Sequence, residues 1–460
     1  MNKNKTILIT SFHSFITKNI LNTDVFSILS EQKRINIVLV VPITKIDFFK
    51  SIYERTNVKI IGFDISSIAS IRILKLFSFF SHLLLDSHYL WYKRRERLEA
   101  NKNISGFLKY SFEVLFTKLF SGIKIIRAIF RKLFIRYGGV DTVYRIFDSF
   151  SPDGVFSTDA FDEGDLLFAA EAKRRGILLI DMVRSWDNCY SKGVLRVLPD
   201  KMIVNNETIK NEAICNHDVL AGNISVLGSP QHDSFIHDSR TLRAEFFKNI
   251  GLDQNKKLIV FAPAGAILSD TDWQLATIFE EAIDSNKFSL PVQFFVRNHP
   301  NHPADLSSIA GREDVVIENP GKVFNKKNPK ETELTRDDNR HLADVLYYAD
   351  IVIWVATTLP LDAVIFDKPL IAINFDGYEK RTYYKSVRRY HDEEHMKKML
   401  SCGGVTIAKN KEELIDSINH YLNDPSWNQE GRDGVVKQQF YKLDGKAGQR
   451  IGQFVLSMIN

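Results

Sequence analysis

The stretch VRNHPNHP, from Val296 to Pro303, closes an apolar, β-rich run with an arginine, an asparagine and two His-Pro pairs. Arg297 carries a planar fork of donors suited to a bidentate hold on phosphate, and His299 brings an imidazole beside it. Prolines 300 and 303 fix the turn and stop the strand from continuing. The combination predicts a strand end stiffened to hold cationic and imidazole donors against a diphosphate. No metal site is expected, because His299 and His302 have a proline between them and no clustered third ligand.

A second constellation is ADIVIWVATTLPLDAVIFDKPLIAI, which reads as strand, small-hydroxyl loop, helix, turn and strand. In a parallel sheet such a loop faces the ligand crevice at the carboxyl edge. Thr357 and Thr358 stand just before a helix start, where open backbone N–H groups and two hydroxyls suit an anion. Asp362, about one turn further on, can accept from the vicinal hydroxyls of a ribose. The same residues also read as an ordinary helix cap with a first-turn acid. FAPAG adds a small-residue loop in which Gly265 permits close backbone approach.

The first half offers the proton chemistry. ITSFHSF puts His13 directly after a first strand, where an imidazole can take a proton from an attacking hydroxyl or be a buried structural group. STDAFDEGD puts Asp159 nearest another strand end, the second candidate base. Asp162, Glu163 and Asp165 read as the first turn of the next helix, where acids are commonplace. In RSWDNCYSKG, Trp186 can stack on a sugar or base, and Asp187 and Asn188 can bond hydroxyls; a tight capped loop explains the same residues. Ser229, Gln231 and His232 of GSPQHD, just before a linker, are expected to face the ligand.

These residues need elements to hold them. Short β-branched runs alternate with amphipathic stretches throughout, which implies βαβ units and parallel sheets. The 460 residues call for two domains, with the boundary between about 236 and 256. The expectation is an N-terminal domain over 1–240, a C-terminal domain over 250–430 and a terminal helix over 431–460.

An insert over about 66–137 breaks the rhythm and reads as wholly helical. Between Ile71 and Tyr137 fourteen Lys/Arg face four Asp/Glu, a local +10, so the remainder of a chain of net +5 sums to −5. Phe112, Leu115, Phe116, Leu119, Phe120, Ile123, Ile126, Phe130, Leu133 and Phe134 follow helical spacing. Lys109, Lys118, Lys124, Arg127, Arg131 and Lys132 fall largely outside that stripe. This predicts a basic amphipathic helix that either packs on its own domain or docks on an anionic membrane face. Nucleic acid fits less well, since the charge is tied to an apolar stripe. Three scattered cysteines without a CxxC spacing suit a reducing compartment. The start MNKNKTILITSF predicts no secretory signal, and no run approaches the ~18–20 apolar residues of a membrane span.

Taken together, RNHPNHP, TTLPLDAVIFDKP and the run GILLIDMVRSWDNCYSKGVLRVLPDKMIVNNE…ISVLGSPQHD resemble GT-B glycosyltransferases. The likeness is to those of bacterial surface-carbohydrate assembly, related to CDP-glycerol glycerophosphotransferases and capsule or lipopolysaccharide transferases, over about residues 150–375. It implies two Rossmann-like domains facing a cleft, with the nucleotide-activated donor on the C-terminal one. By that likeness Thr357 and Thr358 meet the donor phosphates, Asp362 the ribose, and Arg297 and His299 support the diphosphate. Many relatives carry Glu where this chain has Asp362, and the usual glycine-rich loop beside His13 is absent.

The expected activity is metal-independent, cofactor-free sugar transfer from a nucleotide sugar to a lipid-linked or polysaccharide acceptor, by a cytoplasmic protein peripheral at the membrane's inner face. Rival readings are a CDP-glycerol-type polyol-phosphate transferase, a non-hydrolysing sugar-nucleotide 2-epimerase and a non-catalytic membrane scaffold.

Overall fold

The computed structural model describes residues 4–324 and 332–459. Its chain forms two compact units, Met1–Asp233 with Phe440–Asn460, and Ser234–Gln439.

In the first unit β1 (Lys5–Thr10), β2 (Ile35–Pro42), β3 (Val58–Phe63), β4 (Gly154–Ser157), β5 (Leu178–Met182), β6 (Lys201–Val204) and β7 (Ile224–Val226) make one sheet. All pairings are parallel, in the order β3-β2-β1-β4-β5-β6-β7. The second unit holds β8 (Lys257–Ala262), β9 (Val292–Arg297) and β10 (Val315–Glu318). A small antiparallel ribbon of β11 (Lys322–Val323) with β12 (Thr332–Glu333) follows, then β13 (Ile351–Trp354), β14 (Leu370–Ile373) and β15 (Thr406–Ala408). Its parallel sheet runs β10-β9-β8-β13-β14-β15. Helices cover both faces of such sheets, so the strands are buried on both sides and read as continuous apolar runs rather than alternating ones. Ile7, Leu8, Ile9, Ile259, Val260, Phe261, Ile351, Val352 and Ile353 are all fully buried.

Each sheet reverses its strand order once, between β1 and β4 in the first unit and between β8 and β13 in the second. At such a reversal the connecting helices leave to opposite faces, and the loops beyond the strand ends leave a crevice that ligands use.

The insert is helical, as expected, over Arg72–Leu83, His88–Ala100, Ile104–Phe120 and Lys124–Tyr137. The single amphipathic helix expected through Phe112–Phe134 is two helices, interrupted at 121–123. Two of its cations also lie on the inner side. Arg127 and Arg131 are buried and reach Asp218 at 3.2 and 3.0 Å, with Arg131 also donating to the carbonyls of Leu195 and His217.

The tail is likewise two helices. Gln429–Gln439 stays in the second unit, and Ala447–Ile459 returns to the first, burying Ile451 and Val455 in its core. The return helix comes so close to the helix Asp24–Ser30 that a Cβ on Gly452 would stand 3.0 Å from Ile28.

Candidate functional site

At the reversal point of the second unit three loops lie side by side. The loop after β8 turns through Gly265 at φ +85°, with its amide donating to Asp272 Oδ2 at 2.8 Å and that of Ala264 to Oδ1 at 3.2 Å. A Cβ on Gly265 would meet the His302 carbonyl at 2.3 Å and His299 Cβ at 3.5 Å, so the glycine loop and the His-Pro turn are packed directly together. Gly265 is therefore required by backbone conformation and by close packing. Its own N–H is committed to Asp272, so what it offers the expected donor site is close backbone approach.

The His-Pro turn leaves β9, the next strand. Asn298 ties it, accepting from Ala304 N at 3.2 Å and donating to Asn319 at 3.0 Å. His299 accepts from Asn301 N at 3.1 Å through Nδ1 and stacks on His302 with centroids 5.4 Å apart. Burial, then the neighbouring His302, pulls the His299 pKa down to about 4, so at neutral pH it is the uncharged imidazole beside Arg297.

Arg297 also departs from expectation. Only 9% exposed, it is ion-paired with Glu318, which His341 contacts at 3.2 Å. Side chains alternate along a strand. Phe294 and Val296 enter one core, while Phe295 meets His341 on the other face and Arg297 follows it. The fork thus serves an internal ion pair.

Beyond β13, on the far side of β8, Thr357 is half-buried and Thr358 exposed; Thr357 Oγ1 accepts from Leu359 N at 3.4 Å. The helix that follows, Leu359–Val364, has only six residues, too short for the expected helix-terminus contribution, which leaves the hydroxyls as the polar feature. Asp362 lies within it, 6% exposed. A fourth loop, after β14, was not read from the sequence. Its segment VRRYHD forms a 3₁₀ turn whose buried His391 is pulled to a pKa of about 4 by burial, against the opposing pull of Asp392 and the Val355 backbone. The density of Arg, Tyr and His in the run after β14 was the available signal.

At the reversal point of the first unit the chemistry is acidic. Asp165, fully buried on the helix Glu163–Arg175, accepts from Thr10 Oγ1 and from the amides of Thr158 (3.1 Å) and Asp159 (3.3 Å). Thr158 donates to the Thr10 carbonyl at 2.7 Å, which stitches the β1 and β4 ends together. Asp159 is 2% exposed and fully engaged, accepting from Arg184 Nε at 2.6 Å and Phe161 N at 3.2 Å. Both carboxylate oxygens are taken up by internal partners, which counts against its expected role as base. Asp162, treated as a first-turn acid, is partly exposed and caps that helix at Gly164 N (2.8 Å); burial and then the Asp159 charge raise its pKa to about 6. His13, after β1, caps a short turn by accepting from Phe15 N at 3.2 Å and meets the Phe15 ring at a tilt, centroids 5.1 Å apart; Arg184 lies over that ring at 5.9 Å. His13, Arg184 and the aspartates thus gather at one sheet edge.

The other candidates are structural here. Trp186 is 7% exposed, hence in the core rather than open to a sugar. Asp187 accepts from the hydroxyls of Ser185 (2.5 Å) and Ser191 (2.8 Å), the capped-loop alternative, and Asn188 is fully buried. Ser229 and Gln231 are half-buried, Gln231 lies 3.3 Å from His232, and His232 meets the Phe440 ring edge-on at 5.2 Å. GSPQHD is a clasp for the return helix, since Asp233 accepts from the amides of Ala447 (3.1 Å) and Gly448 (2.7 Å). Among the described residues no group of three His, Cys, Asp or Glu is arranged to hold a metal ion.

A family model described as CDP-Glycerol:Poly(glycerophosphate) glycerophosphotransferase matches residues 194–457, more than half of the chain. The chain belongs to that family. The match takes in the whole second unit and the return helix, and leaves out β1 to β5, His13, the aspartate cluster and the helical insert.

No curated protein matches. Among solved structures, the Staphylococcus aureus MnaA–UDP co-structure aligns with a TM-score of 0.56 at 10% identity, over 99% of this chain and 97% of that one. A putative UDP-N-acetylglucosamine 2-epimerase from Listeria monocytogenes gives 0.56 at 11%, over 100% and 97%. The Neisseria meningitidis UDP-GlcNAc 2-epimerase bound to UDP-GlcNAc gives 0.55 at 12%, over 98% and 100%. At such identities the likeness speaks to fold, and the fold of this family member is GT-B.

Proposed function

We propose that this glycerophosphotransferase-family protein is a glycosyltransferase. It moves a sugar from a nucleotide-activated donor to a surface-polymer or glycolipid acceptor at the inner face of the membrane. The second unit takes the donor diphosphate and the first supplies acceptor and base. The observation that carries this reading is the convergence of the Gly265 loop, the His299 turn and Thr357–Thr358 at one reversal point. The His turn and the threonines leave strands two spacings apart, about 10 Å, a span suited to a nucleoside diphosphate. The structures similar in fold include ones with UDP or UDP-GlcNAc bound. In the reaction the acceptor oxygen attacks the anomeric carbon, its proton passes to a base, and the bond to the diphosphate breaks. Asp162 and His13 are the groups at the acidic edge suited to take that proton.

The family description favours a second reading, polyol-phosphate transfer from a CDP-polyol. There the acceptor attacks phosphorus and CMP leaves. One experiment separates the readings: purified protein with a panel of nucleotide sugars and CDP-glycerol, with and without acceptor. Release of a nucleoside diphosphate supports sugar transfer, and CMP release from CDP-glycerol supports polyol-phosphate transfer. Isomerised donor without acceptor marks an epimerase. Absence of any nucleotide binding by calorimetry would remove both transfer readings and leave the non-catalytic scaffold. With a six-residue helix, a paired arginine and a neutral imidazole at the second unit's reversal point, an EDTA arm of the same assay tests the expected metal independence.

A further inference from the structure

We infer that the helices Ile104–Phe120 and Lys124–Tyr137 form a lipid-docking face whose outward aliphatic and aromatic side chains enter an anionic bilayer surface. A helix at the surface of a soluble protein turns its apolar stripe to the core and its charges to water. Here much of that order is inverted. On the first helix Ile104 is 81% exposed, Leu108 62%, Phe112 49%, Leu115 59% and Leu119 55%, one stripe at three- and four-residue spacing. On the second, Ile125 is 66% exposed, Ile129 52% and Leu133 44%, again four residues apart.

Polar side chains meanwhile point inward and find partners there. Thr117 donates to the Leu83 carbonyl at 2.9 Å, Glu113 pairs with Arg97 at 2.8 Å, and Arg127 and Arg131 hold Asp218. Arg131 adds the carbonyls of Leu195 and His217 at 2.9 and 2.8 Å. Turning the apolar side inward would break all of these, so the outward orientation is built in. Charge complementarity names the occupant. Lys109, Lys118, Lys124, Lys132 and Arg136 are exposed around the stripes, and Glu113, the sole acid of the segment, is buried. Aliphatic insertion flanked by cations is the chemistry of an anionic headgroup layer. Among the described residues no helix is long and apolar enough to cross a membrane, which fits a helix pair lying in the interface.

The test uses the full chain in flotation with phosphatidylcholine vesicles, with and without about a third phosphatidylglycerol. The chain is expected to float with the anionic vesicles. Leu108→Ser with Leu115→Ser, Ile125→Ser with Ile129→Ser, and Lys109→Gln with Lys118→Gln, Lys124→Gln and Lys132→Gln should each weaken binding at least about tenfold. All these positions are exposed, so unchanged thermal unfolding should accompany the loss. No flotation, or flotation indifferent to all three variants, overturns the inference. So does self-association that the serine variants abolish while vesicles remain unbound, which would make the face a contact between copies. Nucleotide affinity measured on the same preparations stays independent, so failure of docking and failure of the transfer reading are told apart.

Discussion

The two reversal points share a topology and carry opposite chemistry. At the first, Asp159, Asp162, Asp165 and Asp181 gather with Arg184, and burial drives Asp162 up to about 6, Asp181 up to about 7 and Asp165 well above the usual carboxylate range. At the second, Arg297 is spent on Glu318, Asp272 on two loop amides, and the groups nearest solvent are threonine hydroxyls and a neutral imidazole. A diphosphate would meet repulsion at the first edge and hydrogen-bonding groups at the second. Under the proposed transfer, a hydroxyl awaiting deprotonation would find its proton acceptor at the first. Equivalent crevices in one chain are thus set apart by which charges each leaves uncompensated.

The largest expected break in that comparison is Asp162→Asn. If the acidic edge supplies the base, turnover should fall about 10²- to 10⁴-fold while nucleotide affinity holds. The wild-type rate should rise with pH through about 6 and level off above it, because the base must be ionised. A steady-state pH profile with calorimetry on the variant checks both, and His13→Ala in parallel shows whether the imidazole carries the role instead.

Next is Gly265→Ala. A Cβ 2.3 Å from the His302 carbonyl at a φ of +85° should cost at least about 2 kcal/mol in urea unfolding and disturb nucleotide binding, with little effect on the first unit. Thr357→Val with Thr358→Val keeps shape and removes two hydroxyls. Nucleotide affinity should drop about tenfold or more by titration calorimetry, stability changing little.

The smallest effect sharpens the acidic side. Asp181 has a folded pKa raised to about 7 by burial, above its unfolded value, so wild-type stability falls as pH rises from about 4 to 7. Asp181→Asn should raise stability by roughly 1–3 kcal/mol at pH 8 and hardly at pH 4, read from thermal unfolding at both.

Much of the scaffold was legible locally. Runs such as ILI and LIVF, bounded by turn residues, marked strands buried on both faces, and their alternation with helices implied parallel sheets. Strand ends were legible too: His13, Gly265, His299, Thr357 and Thr358 stand just beyond β1, β8, β9 and β13. Side-chain engagement was less legible, because it depends on partners distant in sequence. Arg297 looked like a phosphate grip until strand alternation turned it toward Glu318; Trp186 looked like a stacking platform until the core enclosed it.

The insert shows the division most clearly. Composition alone determined that residues 104–137 are helical, apolar and cationic, since periodicity and charge are properties of neighbouring positions. Which cations face inward was decided by Asp218 and three carbonyls, of Leu195, Asn216 and His217, roughly sixty to ninety residues away along the chain. Local spacing sets which side chains share a face. Only the folded chain sets what that face meets, because desolvation and pairing energies arise between segments that tertiary packing alone brings together.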